Sequence, residues 1–162
     1  MKAIVLTYSP VKDSDKVLLQ NTKIFKVAIN QHGEEYNPDV RVAGDWNLGY
    51  LCRNFKQPIV SLRDHFRYIS PREIRHNIEF KGATIVGAIE WLIDIGYDNI
   101  LLVADNTVNS EDFKDIVLYH TTRLRYWSGA QIYQYRNGNF MLPVKSIKDF
   151  IGEGKWDIYQ AY

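Results

Sequence analysis

Cysteine is almost missing from this chain. Cys52 is the only one in 162 residues, so no internal disulfide can form, and a reducing cytoplasm is the expected setting. Net charge is almost missing too. Twenty Lys and Arg stand against nineteen Asp and Glu, a balance of +1. Bulk attraction to nucleic acid or to an acidic membrane is therefore not expected. No apolar run approaches the roughly eighteen residues of a membrane-spanning helix. Met1-Lys2 leads straight into Ala3-Ile4-Val5-Leu6, which is too short for a secretory leader and reads as a first strand. His32, His65, His76 and His120 are scattered, with no Cys or carboxylate at metal-ligand spacing, so no zinc site is expected. There is no internal repeat, low-complexity tract or linker. One domain over 1–151, followed by a tail over 152–162, is the expected organisation.

What is present is ordinary in bulk and rich in rings. Hydrophobic residues make up 46% and charged residues 24% of the chain, as in a globular protein. Aromatics reach 14%, with 11 Tyr and 4 Trp, and these must fill a core, a pocket or an interface. A chain of this length can bury about two-thirds of its unfolded surface without staples.

Short apolar runs alternate with helical stretches. Strands are expected at Ala3–Leu6, Ile24–Ile29, Val40–Ala43, Pro58–Leu62, Asn99–Ala104 and Gln131–Tyr135. Helices are expected at Asp15–Gln20, Trp46–Phe55, Ala83–Ile95, Ser110 to about Arg125, and Ser146–Ile151. The helix over 83–95 carries the clearest signal. Ile85, Ala88, Ile89 and Leu92 fall on one helical face, Val86 and Ile93 widen it, and Gly96 ends it. Arg63 to Lys81 is basic and aromatic, and reads as a loop with one short helix after Ser70-Pro71. This alternation predicts an α/β protein with a Rossmann-like, mostly parallel open sheet flanked by helices. In such sheets the ligand crevice lies beyond the carboxyl ends of the strands.

Polar residues gather at those ends: Tyr8-Ser9, Asn30-Gln31-His32, Gly44-Asp45-Trp46 and Asp105-Asn106. Asp45 and Asp105 each follow a strand, where a carboxylate can accept sugar hydroxyls or hold Mg²⁺ through water. A helix cap or a turn is the alternative for each. Asn30 and Gln31 carry amides that can read a base or a ribose, or can serve a turn. Gly82, Ala83 and Thr84 open the clearest helix, where free N–H groups and the positive dipole end can hold a phosphate. Close packing of the glycine against a strand is the alternative. Cys52 sits among Leu48, Tyr50, Leu51 and Phe55, and reads as a buried, inert thiol. His65, Phe66, Arg67 and Tyr68 interleave charge with rings in a way that suits nucleic acid. A solvated loop is the alternative, and the charge balance favours it.

Four of these segments carry a resemblance. Ile4-Val5-Leu6-Thr7-Tyr8-Ser9-Pro10, Phe25 to Gln31, Asp39 to Asp45, and Gly82 to Ala88 running on through Gly96-Tyr97 to Asp105 resemble the bacterial lipooligosaccharide sialyltransferases. They also resemble the related MptE-like 6-hydroxymethylpterin pyrophosphokinase group. The likeness implies a Rossmann-like sheet and a nucleotide at its carboxyl edge. Ser9, Asn30, Gln31, Gly82, Ala83 and Thr84 would bind the ligand, and Asp45 and Asp105 would serve the chemistry. Two departures stand out. The family's glycine-rich first turn is reduced here to Thr7-Tyr8-Ser9-Pro10, and only Asn106 to Asn109 occupy the place of the catalytic lid. The expected function is a nucleotide- or sugar-nucleotide-binding protein, with glycosyl or pyrophosphoryl transfer as its chemistry. The alternative is a non-catalytic protein acting through homo-oligomer or partner contacts. Tyr119, Tyr126, Tyr133, Tyr135, Tyr159 and Tyr162, with Trp127 and Trp156, would then form the contact surface.

Overall fold

A computed structural model describes residues 1–44, 54–61, 73–75, 83–104, 111–135 and 140–152. In chain order its elements are β1 (Lys2–Leu6), α1 (Asp13–Asn21), β2 (Phe25–Ile29), a 3-10 turn (Glu34–Tyr36), β3 (Val40–Ala43), β4 (Ile59–Ser61) and β5 (Glu73–Arg75). Then come α2 (Thr84–Asp94), β6 (Asn99–Val103), α3 (Glu111–Ser128) and β7 (Gln131–Gln134). A final helix, α4, spans 147–152. The strands form one seven-stranded sheet in the order β5-β4-β3-β2-β1-β6-β7. Every pairing between these strands is parallel. The expected α/β, Rossmann-like architecture is the one observed.

β1 lies inside the sheet, between β2 and β6, and both of its faces are apolar. Ala3 and Val5 point into one core layer with Ile85, Val86, Ala88, Ile89 and Leu92 of α2. Ile4 and Leu6 point into the other, with Leu19 of α1 and with Ile147 and Phe150 of α4. β6 repeats the pattern: Ile100 and Leu102 face α2, and Leu101 and Val103 face the opposite layer. Continuous apolar runs suit strands covered on both faces.

α2 forms where its periodicity predicts and stops as expected. Gly96 adopts φ +107°, the left-handed region that glycine enters without steric cost. The Tyr97 N–H donates to Leu92 O at 2.9 Å, and the Gly96 N–H to Ile93 O at 3.1 Å. These two bonds make a Schellman ending.

Some boundaries move and one element was misread. α1 begins at Asp13 and runs to Asn21, two residues earlier than expected at its start. The stretch read as a loop with one short helix contains β5 at Glu73–Arg75. Three residues are too few to show a period, and the hydrogen bonds that make them a strand come from β4. Residues 54 and 55, expected to end a helix, lie in a turn, and 46–53 fall outside the described residues. So do Cys52, His65, His76, residues 136–139 and most of the tail. No helix among the described residues is long and apolar enough to cross a membrane.

The connection from β2 to β3 has no crossover helix. Residues 30–39 fold back over the sheet through two left-handed asparagines, Asn30 (φ +52°) and Asn37 (φ +53°), and the left-handed Gly33 (φ +78°). Asn tolerates this region better than most residues. A Cβ on Gly33 would lie 3.0 Å from Leu6 Cβ and 3.4 Å from Ala28 Cβ, so the connection touches the sheet at this point.

Candidate functional site

The strand order reverses direction between β1 and β6. The Thr7 N–H donates to Val103 O at 3.1 Å, so the two strands stay paired up to their carboxyl ends. Beyond that rung the chain leaves β1 toward α1, on one face, and leaves β6 toward α3, which packs with α2 on the other. Such a divergence is where a doubly wound sheet places its ligand crevice. α2 packs against β1, β2 and β3 and feeds β6. It therefore runs back against the strands, and its first residues sit at the carboxyl edge.

Two of the helix starts at this edge, those of α1 and α2, differ in charge. α1 opens with Asp13 and Asp15 and has no side-chain cap. α2 opens at Thr84 from an extended Ala83 (φ −151°), with neither a side-chain cap nor an acid in its first turn. Ala83 and Thr84 are both buried. An uncapped start without carboxylates leaves N–H groups and the dipole available to an anion. The carboxylates of α1 would repel one.

The remaining expected residues divide. Ser9 follows β1, is half-buried, and its Oγ is enclosed with no hydrogen-bond partner among the described residues. Gln31 is exposed at the tip of the β2 turn. Asn30 is committed to the backbone. Its Oδ1 accepts the Gly44 N–H at 3.4 Å, its own N–H donates to Val42 O at 2.9 Å, and its carbonyl accepts from Arg41 at 2.7 Å. It ties the end of β2 to the end of β3 and presents its backbone to the sheet, as the turn reading anticipated. Asp45, Asp105 and Gly82 lie outside the described residues. The structure thus brings Ser9, Asn30, Gln31, Ala83 and Thr84 to one edge of the sheet. Of the tyrosines expected on a contact surface, Tyr135 is not there: it is fully buried, donating its hydroxyl to Asp15 Oδ2 at 2.6 Å. Burial and that acceptor push its phenol well above the ordinary range.

Three residues at or beneath this edge were given no functional role from the sequence. His32 is half-buried beside Tyr8, with ring centroids 6.1 Å apart, so the turns after β1 and β2 meet there. Burial pulls the imidazole pKa down and the Arg41 charge adds to the effect, while Glu35 opposes it. A neutral imidazole at the carboxyl edge can accept a proton. Arg41, on β3, is wholly buried. Its Nη1 donates to Asn30 O at 2.7 Å and His32 O at 2.6 Å, and its Nη2 to Glu34 Oε2 at 2.6 Å and Gln57 Oε1 at 3.3 Å. Its guanidinium stacks 4.0 Å from the Phe55 ring centre. Lys26, on β2, donates Nζ to Leu19 O at 2.8 Å and Tyr36 O at 2.7 Å. Burial lowers the ammonium pKa, and Asp39 partly restores it. Together the two cations hold the 30–39 connection, and so the turn that carries Asn30, Gln31 and His32. The signal lay in the alternation of Phe25-Lys26-Val27-Ala28-Ile29 and Val40-Arg41-Val42-Ala43, where one cation interrupts each apolar strand.

No group of three or more His, Cys, Asp or Glu among the described residues could hold a metal ion. No family model, curated protein or solved structure matches the chain.

Proposed function

We propose that the carboxyl edge of the sheet binds a nucleoside phosphate or a sugar nucleotide, and that the chemistry served there is glycosyl or pyrophosphoryl transfer. The observation that carries this reading is the start of α2, uncapped among the described residues and free of acid, at the carboxyl edge of the sheet. Gly82, Ala83 and Thr84 cradle the phosphate. Ser9, whose enclosed hydroxyl has no partner among the described residues, donates to the same group. Gln31 reads the base or ribose, with Asn30 holding the turn that presents it. Asp45 takes sugar hydroxyls or Mg²⁺, and Asp105 lines the crevice. The likeness to the sialyltransferase and pyrophosphokinase group supports the ligand class. The missing lid argues against sialyl transfer by that group's own mechanism. The test is a calorimetric titration of CMP, CTP, ATP and CMP-sialic acid, with and without Mg²⁺, into the wild type and Asp45→Ala. The expected result is saturable binding that Asp45→Ala weakens at least tenfold without unfolding the protein. Equal affinity in the two proteins removes Asp45 from the site.

A second reading has its own support. Tyr119, Tyr126 and Trp127 of α3 are 64%, 82% and 77% exposed. Rings so placed favour association with another protein surface, and a second copy of the chain is the partner proposed.

A further inference from the structure

We infer that α3 pairs with α3 of a second copy, antiparallel, about a twofold axis passing beside Tyr119; this rests on the self-association reading. One side of the helix is already occupied. Val117 and Thr121 are fully buried and Leu124 packs against the core. The other side carries Asp115, Tyr119, Thr122, Arg123 and Tyr126, all exposed, with Trp127 at its margin. Tyr126 and Trp127 already meet edge to face, with centroids 5.7 Å apart and planes at 89°. That contact limits the freedom the two rings lose on association.

Charge selects the partner and the direction. Asp115 and Arg123 stand one helical turn before and one after Tyr119, and neither makes an ion pair among the described residues. A twofold axis at Tyr119 sets Asp115 of each copy opposite Arg123 of the other, giving two equivalent ion pairs, and lays Tyr119 against its own copy. The whole helix has the same polarity. Glu111, Asp112 and Asp115 stand with Lys114 near its start, and Arg123 and Arg125 near its end. Antiparallel pairing turns the acidic start of one helix toward the basic end of the other, whereas parallel pairing would bring like ends together. Tyr, Trp and Arg are also the residues that dominate association energetics when buried between proteins.

Sedimentation velocity across a concentration series tests this on the full chain. The proteins are the wild type, Asp115→Arg, Arg123→Asp, the double variant carrying both, and Tyr126→Ala/Trp127→Ala, each checked for helix content by circular dichroism. All the substituted positions are exposed, so the fold should persist. The wild type is expected to dimerise. Each single charge reversal and the ring truncation should weaken the dimer at least tenfold, and the double reversal should restore it. A wild type that stays monomeric at every concentration overturns self-association itself. A dimer indifferent to all the variants keeps self-association and overturns the α3 face. A dimer lost on ring truncation but not rescued by the double reversal overturns the antiparallel register. None of these outcomes bears on nucleotide binding, so the two readings fail separately.

Discussion

The two faces of β2 and β3 are built on opposite principles. Toward α2 they present Val27, Ile29, Val40 and Val42, all apolar and buried. Toward the other side they present Lys26, Ala28, Arg41 and Ala43, also buried. The difference follows from what covers each face. A helix satisfies its own backbone, so α2 needs only an apolar seat. The 30–39 connection makes one short 3-10 turn and leaves carbonyls facing the sheet at Asn30, His32 and Tyr36. Buried carbonyls need donors. Lys26 and Arg41 provide them from within the strands, and Glu34 balances the guanidinium charge. A loop in place of a helix is thus matched by cations in place of aliphatics. The turn held in this way is the one that brings His32 and Gln31 to the carboxyl edge.

This contrast breaks most sharply at Arg41. Arg41→Ala strands the Asn30 and His32 carbonyls and removes the ion-pair partner of Glu34. The expected loss is about 3 kcal/mol, the lower end for a broken buried pair, because Glu34 itself is 42% exposed. Urea unfolding measures it. A loss below 1 kcal/mol would mean that the carbonyls find water instead and that the cation does not hold the connection.

Gly33 gives the next largest effect. Gly33→Ala meets both a left-handed φ of +78° and the 3.0 Å approach to Leu6 Cβ, whereas Gly129, at φ +71°, has nothing within 4 Å. The account predicts a cost of about 2 kcal/mol at Gly33 and about 1 kcal/mol at Gly129. Equal costs would show that the connection does not press on the sheet.

The smallest effect is a pH dependence. His32 has a lowered pKa in the folded state, so the unfolded chain binds its proton first. Stability contributed by the neutral ring is intact above about pH 6.5 and declines as pH falls below it. His32→Gln should flatten the slope of unfolding free energy below about pH 6.5. An unchanged slope would place its origin in other groups.

How far the sequence reveals this structure depends on where each signal resides. β1, β6 and α2 were legible because burial on both faces, or along one wide stripe, writes a pattern into consecutive residues. β5 was not, because its strand character comes from β4 and covers only Glu73–Arg75. The carboxyl edge was legible as a place, since alternating strands and helices imply it. The duties of the residues within it were less so. Asn30 looked able to read a ligand or to serve a turn, and nothing local says that its amide is taken up by Gly44, fourteen positions away. Lys26 and Arg41 were visible as interruptions, but their purpose depends on a connection whose shape three left-handed residues determine.

The central claim is that the carboxyl edge takes a nucleotide. A thermal-shift panel of CMP, CTP, ATP, UDP, GDP and CMP-sialic acid, with and without Mg²⁺, tests it most directly. The account predicts saturable stabilisation by at least one of them, following mass action and reaching about 2.7 kcal/mol at a hundredfold excess over Kd. A folded protein that none of them stabilises would contradict it, and would leave the α3 surface as the functional part of the molecule.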